Sequence, residues 1–196
     1  MTSFASPFMA DSQDTSFARL TSLAVHDLRT PLATIFGFAR TMQRAVELEP
    51  PVSRYVEMII AASEQMTELL EELGLAARIA GDRYEPVLAD VDTLELARAA
   101  VPDADGSGTR VTTDPPTVQR ALAALADCAR KHGSIPAVAL RVNGSTLALE
   151  PVNEAAAPVI MAESLKDLGA AVALSAIRAL GGSVALEGER LLIRLD

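Results

Sequence analysis

The 196-residue sequence predicts an α+β chain: an antiparallel helical hairpin that dimerises into a four-helix bundle, followed by a small α/β sandwich. Three observations predict it. Two long segments place apolar residues at steps of three and four, the spacing of one helix face. Further on, Asn143-Gly144 and Glu187-Gly188-Glu189 each separate two short apolar runs, as hairpin turns do. Hydrophobic residues make up 49% of the chain, enough to bury a core, and with aromatics at only 4% that core rests on Leu, Ala, Val and Ile.

Residues 1–13 are small and polar and read as a tail. Asp14-Thr15-Ser16 supplies helix-capping side chains just before the first periodic run: Phe17, Leu20, Ala24, Leu28, Leu32, Ile35, Phe38 (or Ala39), Met42 and Val46. Pro31 lies inside that pattern and is expected to bend the helix, which Glu49-Pro50-Pro51 ends. The second run, Val52, Val56, Ile59, Ser63, Met66, Leu70, Leu73 and Ala77, keeps a heptad rhythm, with Met58, Ile60 and Leu69 as a second apolar flank. Such broad faces exceed what two helices hide from each other. Pairing with a second copy covers them, and packing on the C-terminal half of the same chain is the alternative. Residues 14–80 are therefore taken as the hairpin, and Gly81-Asp82 opens a linker to about Glu85.

Residues 86–196 read as the second domain. The order expected is a helix over Val91–Val101 opened by Asp90 or Asp92, a loop over 102–109, and a short strand at Arg110-Val111-Thr112. A helix then runs from Asp114-Pro115-Pro116 to about Lys131, and the strands Ala137–Val142 and Thr146–Leu149 meet at a type I′ turn. A helix over Leu165–Leu180 stops at Gly181-Gly182, and a last hairpin pairs Ser183–Leu186 with Leu191–Leu195.

Seventeen basic against 26 acidic residues give a net charge of −9, and this field, with no local basic cluster, argues against nucleic-acid binding. A single cysteine, Cys128, excludes an internal disulfide and fits a reducing compartment. No apolar stretch approaches the ~20 residues of a membrane span, and no Lys or Arg precedes Arg19 to start a secretory signal. The chain is expected to be cytoplasmic, without membrane association.

Of the two histidines, His26 lies two residues from Ala24 and from Leu28, so at about 100° per residue it points roughly 200° away from the stripe, into solvent. Asp27 can hold one ring nitrogen as acceptor and leave the other free as a nucleophile. Thr30, at i+4, shares the His26 face, where its hydroxyl can orient a water toward a phosphoryl group, and Arg29 adds positive charge. The other histidine, His132, reads as a helix C-terminal cap, and Cys128 as a small buried core residue.

Phe17 to Gln43, and within it the string His26-Asp27-Leu28-Arg29-Thr30-Pro31-Leu32, closely resembles the phosphoacceptor region of sensor histidine kinases, and the resemblance extends over the hairpin. It implies a dimeric four-helix bundle with His26 as phosphoacceptor, Asp27 as the acidic neighbour that assists transfer, and Thr30 as the residue associated with dephosphorylating the partner response regulator. The second half resembles that family's ATPase domain in skeleton, at 86–91, 114–122, 168–174 and 178–182. Its chemistry departs from the pattern. Where the family carries two asparagines, one a magnesium ligand, Ala124 and Cys128 stand, and neither offers the hard oxygen that Mg²⁺ requires. The Asp-x-Gly-x-Gly segment is absent, and no glycine occurs between Gly144 and Gly169. Gly169 alone is left of the phosphate glycines, Glu154 and Glu163 are repulsive to triphosphate, and the lid segment is short.

The expectation is thus a dimeric histidine phosphotransfer protein of a phosphorelay, closest in type to dimeric phosphotransferases that keep a kinase-like architecture. It would exchange a phosphoryl group between His26 and the receiver-domain aspartates of response regulators. No cofactor and no bound metal are expected, any Mg²⁺ coming with the receiver domain, and a true histidine kinase is a further candidate partner. Three alternatives stand beside it: a kinase core with a divergent ATP site, a response-regulator phosphatase using Thr30, and a kinase-like interaction module.

Overall fold

Two helices account for the first half of the chain. The structure, a computed structural model, describes residues 8–45 and 48–195, and it divides into two units, Met1–Arg83 and Tyr84–Asp196. Helix α1 spans Phe8–Ala45. It begins ahead of Asp14-Thr15-Ser16, so those residues lie inside the helix, and residues 8–13 of the expected tail are helical. Nothing between Phe8 and Gln13 stops a helix, since neither Gly nor Pro occurs there. Residues 1–7 of that tail, and Val46 of the stripe, lie outside the described residues. The helix runs through Pro31 without a break, although the ring supplies no N–H to the Asp27 carbonyl. Helix α2 spans Pro50–Ala80, with the proline pair in its first turn, where the missing N–H groups have no intrahelical acceptor to lose.

The hairpin seam is narrower than the apolar stripes. On α1 the buried positions are Ala18, Val25, Leu32 and Ala39, seven residues apart; Val56, Ser63, Leu70 and Ala77 repeat the same step on α2, joined by Ile60. Val25, Leu32 and Leu70 form one cluster; Ala39, Val56 and Ile60 form another. Arg40 bonds Glu64 across the helices at 2.7 Å, and Arg83 donates to the Ala18 carbonyl and to Ser22 Oγ. The expected α1 stripe therefore divides. Leu32 and Ala39 enter the seam, whereas Phe17, Leu20, Leu28, Ile35, Phe38 and Met42 stay exposed. On α2, Val52, Ile59 and Met66 stay exposed in the same way. A heptad pattern carries two sets of seven-spaced positions, and one hairpin covers only one of them.

The second unit is a sheet with helices packed on one face. Its elements are β1 (Ala89–Asp92), α3 (Thr93–Ala100), β2 (Asp105–Gly108), β3 (Arg110–Thr113), α4 (Pro115–Gly133), β4 (Ala139–Gly144), β5 (Thr146–Glu150), α5 (Ala157–Ile160), α6 (Leu168–Ala179), β6 (Ser183–Glu187) and β7 (Arg190–Arg194). Five strands order as β2-β4-β5-β7-β6, with β2 parallel to β4 and the rest antiparallel, and β1 pairs with β3 as a separate ribbon. Alternate residues of the central strands are buried, namely Leu140 and Val142, Leu147 and Leu149, Leu191 and Ile193. They share one core with Leu122, Leu125, Leu174 and Ile177 of α4 and α6.

Three aspartates start the long helices, each by accepting backbone N–H bonds: Asp92 from Leu94 and Glu95, Asp114 from Thr117, and Asp167 from Ala170. Several expectations need correction. Residues 89–92 are a strand, so α3 opens at Asp92 rather than Asp90. Residues 105–108, expected in a loop, are strand β2. Asp-Gly-Ser-Gly has little strand propensity, yet Gly106 lies so close to the Val142 backbone, at φ +120°, that a Cβ would collide with it. The β4–β5 turn is Gly144-Ser145, one residue later than expected. Positive φ at Gly144 and not at Ser145 is the type II′ pattern, not type I′. Helix α6 begins at Leu168 because Asp167 caps it there. No helix among the described residues is long and apolar enough to cross a membrane.

Candidate functional site

His26 stands on α1 at the position that the seam leaves open. From Leu32, at about 100° per residue, it lies about 120° round one side of the helix, whereas Leu28, Ile35 and Met42 lie about 40–80° round the other. The ring and the exposed apolar flank thus occupy opposite sides of the seam. The His26 side chain is 79% exposed and that of Asp27 68%.

His26 Nδ1 lies 3.2 Å from Asp27 Oδ1. An ionised carboxylate only accepts, so this contact calls for the proton on Nδ1 and leaves the Nε2 lone pair facing solvent. Thr30 is exposed one turn further on, about 40° from His26 around the axis and about 6 Å along it. Its carbonyl accepts from Thr34 Oγ1 at 3.1 Å. Arg29 is exposed on the same stretch. All four expected site residues, His26, Asp27, Arg29 and Thr30, sit on two successive turns of one helix. Together they place an imidazole, a neighbouring carboxylate, a hydroxyl and a cation on one exposed stretch of helix.

In the second unit the expected departures occupy structural roles. Ala124 is half-buried against the core and Cys128 is 1% exposed beneath α6. Burial, and then the nearby Asp167 carboxylate, push the Cys128 thiol up to about 12 despite Lys131. Glu154 and Glu163 are exposed, and Asn153 spends its side chain on the Gly133 carbonyl and the Ala156 N–H, capping the turn into α5. The N-terminus of α6, whose N–H groups would suit a phosphate, is filled by the Asp167 carboxylate at 3.0 Å from Ala170 N. That aspartate was hidden in the sequence because the expected helix start, Leu165, lies three residues ahead of the observed one. An Asp ahead of Leu-Gly-Ala-Ala is itself a helix-start signal.

Residues 18–81 match the His Kinase A (phospho-acceptor) domain. The chain is 34% identical over 98 residues, half its length, to the probable sensor histidine kinase TcrY of Mycobacterium tuberculosis. It is 31% identical over 136 residues, 66% of its length, to the sensor protein CseC of Streptomyces avermitilis. It spans only 20% and 26% of those two relatives' lengths. Among solved structures, full-length ShkA in complex with AMPPNP superposes with a TM-score of 0.62 at 20% identity, over 89% of this chain and 44% of that one. Such a likeness establishes the fold alone, a helical hairpin followed by the kinase-type sheet domain. Residues 18–81 thus carry a hairpin similar to the phosphoacceptor domain of sensor histidine kinases.

Proposed function

We propose that the chain is a dimeric histidine phosphotransfer protein of a two-component relay, exchanging a phosphoryl group between His26 and the receiver-domain aspartates of response regulators without binding ATP. The observation that carries this reading is the pairing of an intact, exposed His26–Asp27 acceptor with a sheet domain whose residues do not fit Mg²⁺-ATP. Transfer would proceed by attack of Nε2 on the phosphorus of an aspartyl phosphate. The P–N bond forms, the P–O bond breaks, and the aspartate leaves as carboxylate while Nδ1 keeps its proton against Asp27. Positioning supplies most of what such a transfer needs, because both phosphoryl species are labile.

Homodimerisation is supported by the exposed heptad positions. Phe17, Leu28, Ile35 and Met42 on α1 and Val52, Ile59 and Met66 on α2 form an apolar flank of the kind that monomers seldom leave open. A second copy of the hairpin would close it as a four-helix bundle, leaving His26 on the outer side.

Against Mg²⁺-ATP stand the donor set and the charge. Ala124 and the thiol of Cys128 replace hard oxygen, and Asp167 fills the helix start that would otherwise receive a phosphate. The second reading, an autophosphorylating kinase core with a divergent ATP site, is favoured by the kinase-type fold of the second unit. One assay separates them. Incubation with labelled ATP and Mg²⁺ should leave His26 unlabelled, and incubation with a phosphorylated receiver domain should label it. Labelling by ATP alone would establish the kinase reading instead. If Thr30→Ala slows receiver dephosphorylation while transfer persists, the protein also works as a phosphatase.

A further inference from the structure

A second cluster of chemically active side chains lies away from His26, where α4 meets the start of α6. Cys128 and His132 are one turn apart on α4 and so share a face. Asp167 approaches that face from α6. One ligand atom from each of the three lies within 4.8 Å of the others. His132 Nε2 is 3.1 Å from Asp167 Oδ2. Two ligand atoms each about 2.0 Å from a tetrahedral Zn²⁺ stand roughly 3.3 Å apart, so this pair needs almost no adjustment.

We propose that Cys128, His132 and Asp167 form a binding site for a divalent transition-metal ion of the Zn²⁺ class, with a fourth position left to water. The donor set selects the metal: thiolate and imidazole with one carboxylate suit zinc or cobalt and suit magnesium poorly. Zinc sites with three protein ligands and an open fourth position are well established chemistry. Coordination to such a cation deprotonates a thiol outright, so Cys128 binds as thiolate. On binding, the S–H proton leaves to solvent as the S–metal bond forms. The Nε2 proton that faces Asp167 in the free site also leaves to solvent while Nδ1 takes one up, so that neutral His132 gives its Nε2 lone pair, and Asp167 gives Oδ2. Oδ1 meanwhile keeps its bond from Ala170, a second shell that fixes the carboxylate. Lys131 Nζ, 3.7 Å from Asp167 and 70% exposed, is the cation that the metal displaces. The site is largely enclosed: the side chains of His132 and Asp167 are 19% and 15% exposed, and Cys128 is buried. The site departs from the expectation of a chain without metal. It gives Cys128 and His132 a joint role that neither suggests as a core residue or a helix cap.

The test titrates tag-free, chelator-stripped full-length protein with Co²⁺ alone. One equivalent per chain should bind, producing a thiolate-to-cobalt charge-transfer band that Zn²⁺ abolishes by displacement. Cys128→Ala should remove the band. Asp167→Asn, which keeps the helix cap, should weaken binding at least tenfold with an unchanged circular dichroism spectrum. Absence of the band, or the same affinity in Cys128→Ala and Asp167→Asn as in the parent, overturns the site.

Discussion

The two units of this chain spend their sequence differently. The hairpin holds a thin seam of small and medium residues, Ala18, Val25, Leu32 and Ala39 against Val56, Ser63 and Leu70, and leaves its largest apolar side chains outside. The sheet unit buries Leu96, Leu122, Leu125, Leu147, Leu191 and Ile193 completely. One unit leaves a row of large apolar side chains open and the other is closed on itself. His26 with Asp27 sits on the open unit, and in the closed one Ala124 and Cys128 pack in the core while Asp167 caps a helix.

The largest effect that tests this contrast is on the closed core. Leu147→Ala or Ile193→Ala should destabilise the sheet unit by about 2–5 kcal/mol in denaturant unfolding, with the loss confined to that unit. The open flank behaves oppositely. Ile35→Asp removes no buried contact within one chain, so helicity should be kept while dimer affinity falls by at least tenfold in light scattering or sedimentation. A large loss of helicity in this variant would mean that the flank is internal packing instead. Next comes the Asp114 cap, which holds Thr117 N, Val87 N and Tyr84 Oη at once. Asp114→Ala should cost about 1–2 kcal/mol in thermal or denaturant unfolding. Smallest is Arg40→Ala at the half-exposed pair with Glu64, expected below about 1 kcal/mol in the same measurement.

The contrast also explains what the sequence disclosed. Period and caps are local, so both long helices, the Asp114 and Gly181 boundaries and the two hairpin strands of the sheet were legible. The exposure of His26, Asp27, Arg29 and Thr30 was legible for the same reason, since they lie within five residues of one helix. Pairings that depend on distant partners were not. Strand β2 exists because Gly106 can press against Val142, a contact between residues 36 apart that no propensity scale contains. The apolar stripe of α1 looked like a single face, and only the position of α2 decides that Leu32 and Ala39 are inside while Leu28 and Ile35 are outside. Asp167 meets Cys128 and His132 only after α6 folds back onto α4, so neither residue's spacing announced the third member.

The central claim is that His26 receives phosphate from a protein and not from ATP. The most direct measurement incubates the full chain with a labelled, phosphorylated receiver domain from the same organism and follows transfer of label, with His26→Gln as control. The account predicts label on the parent chain, none on His26→Gln, and thermal stability of that variant within about 0.5 kcal/mol of the parent, since the ring is surface-exposed. Failure to take label from any receiver, together with labelling from ATP and Mg²⁺, would contradict it.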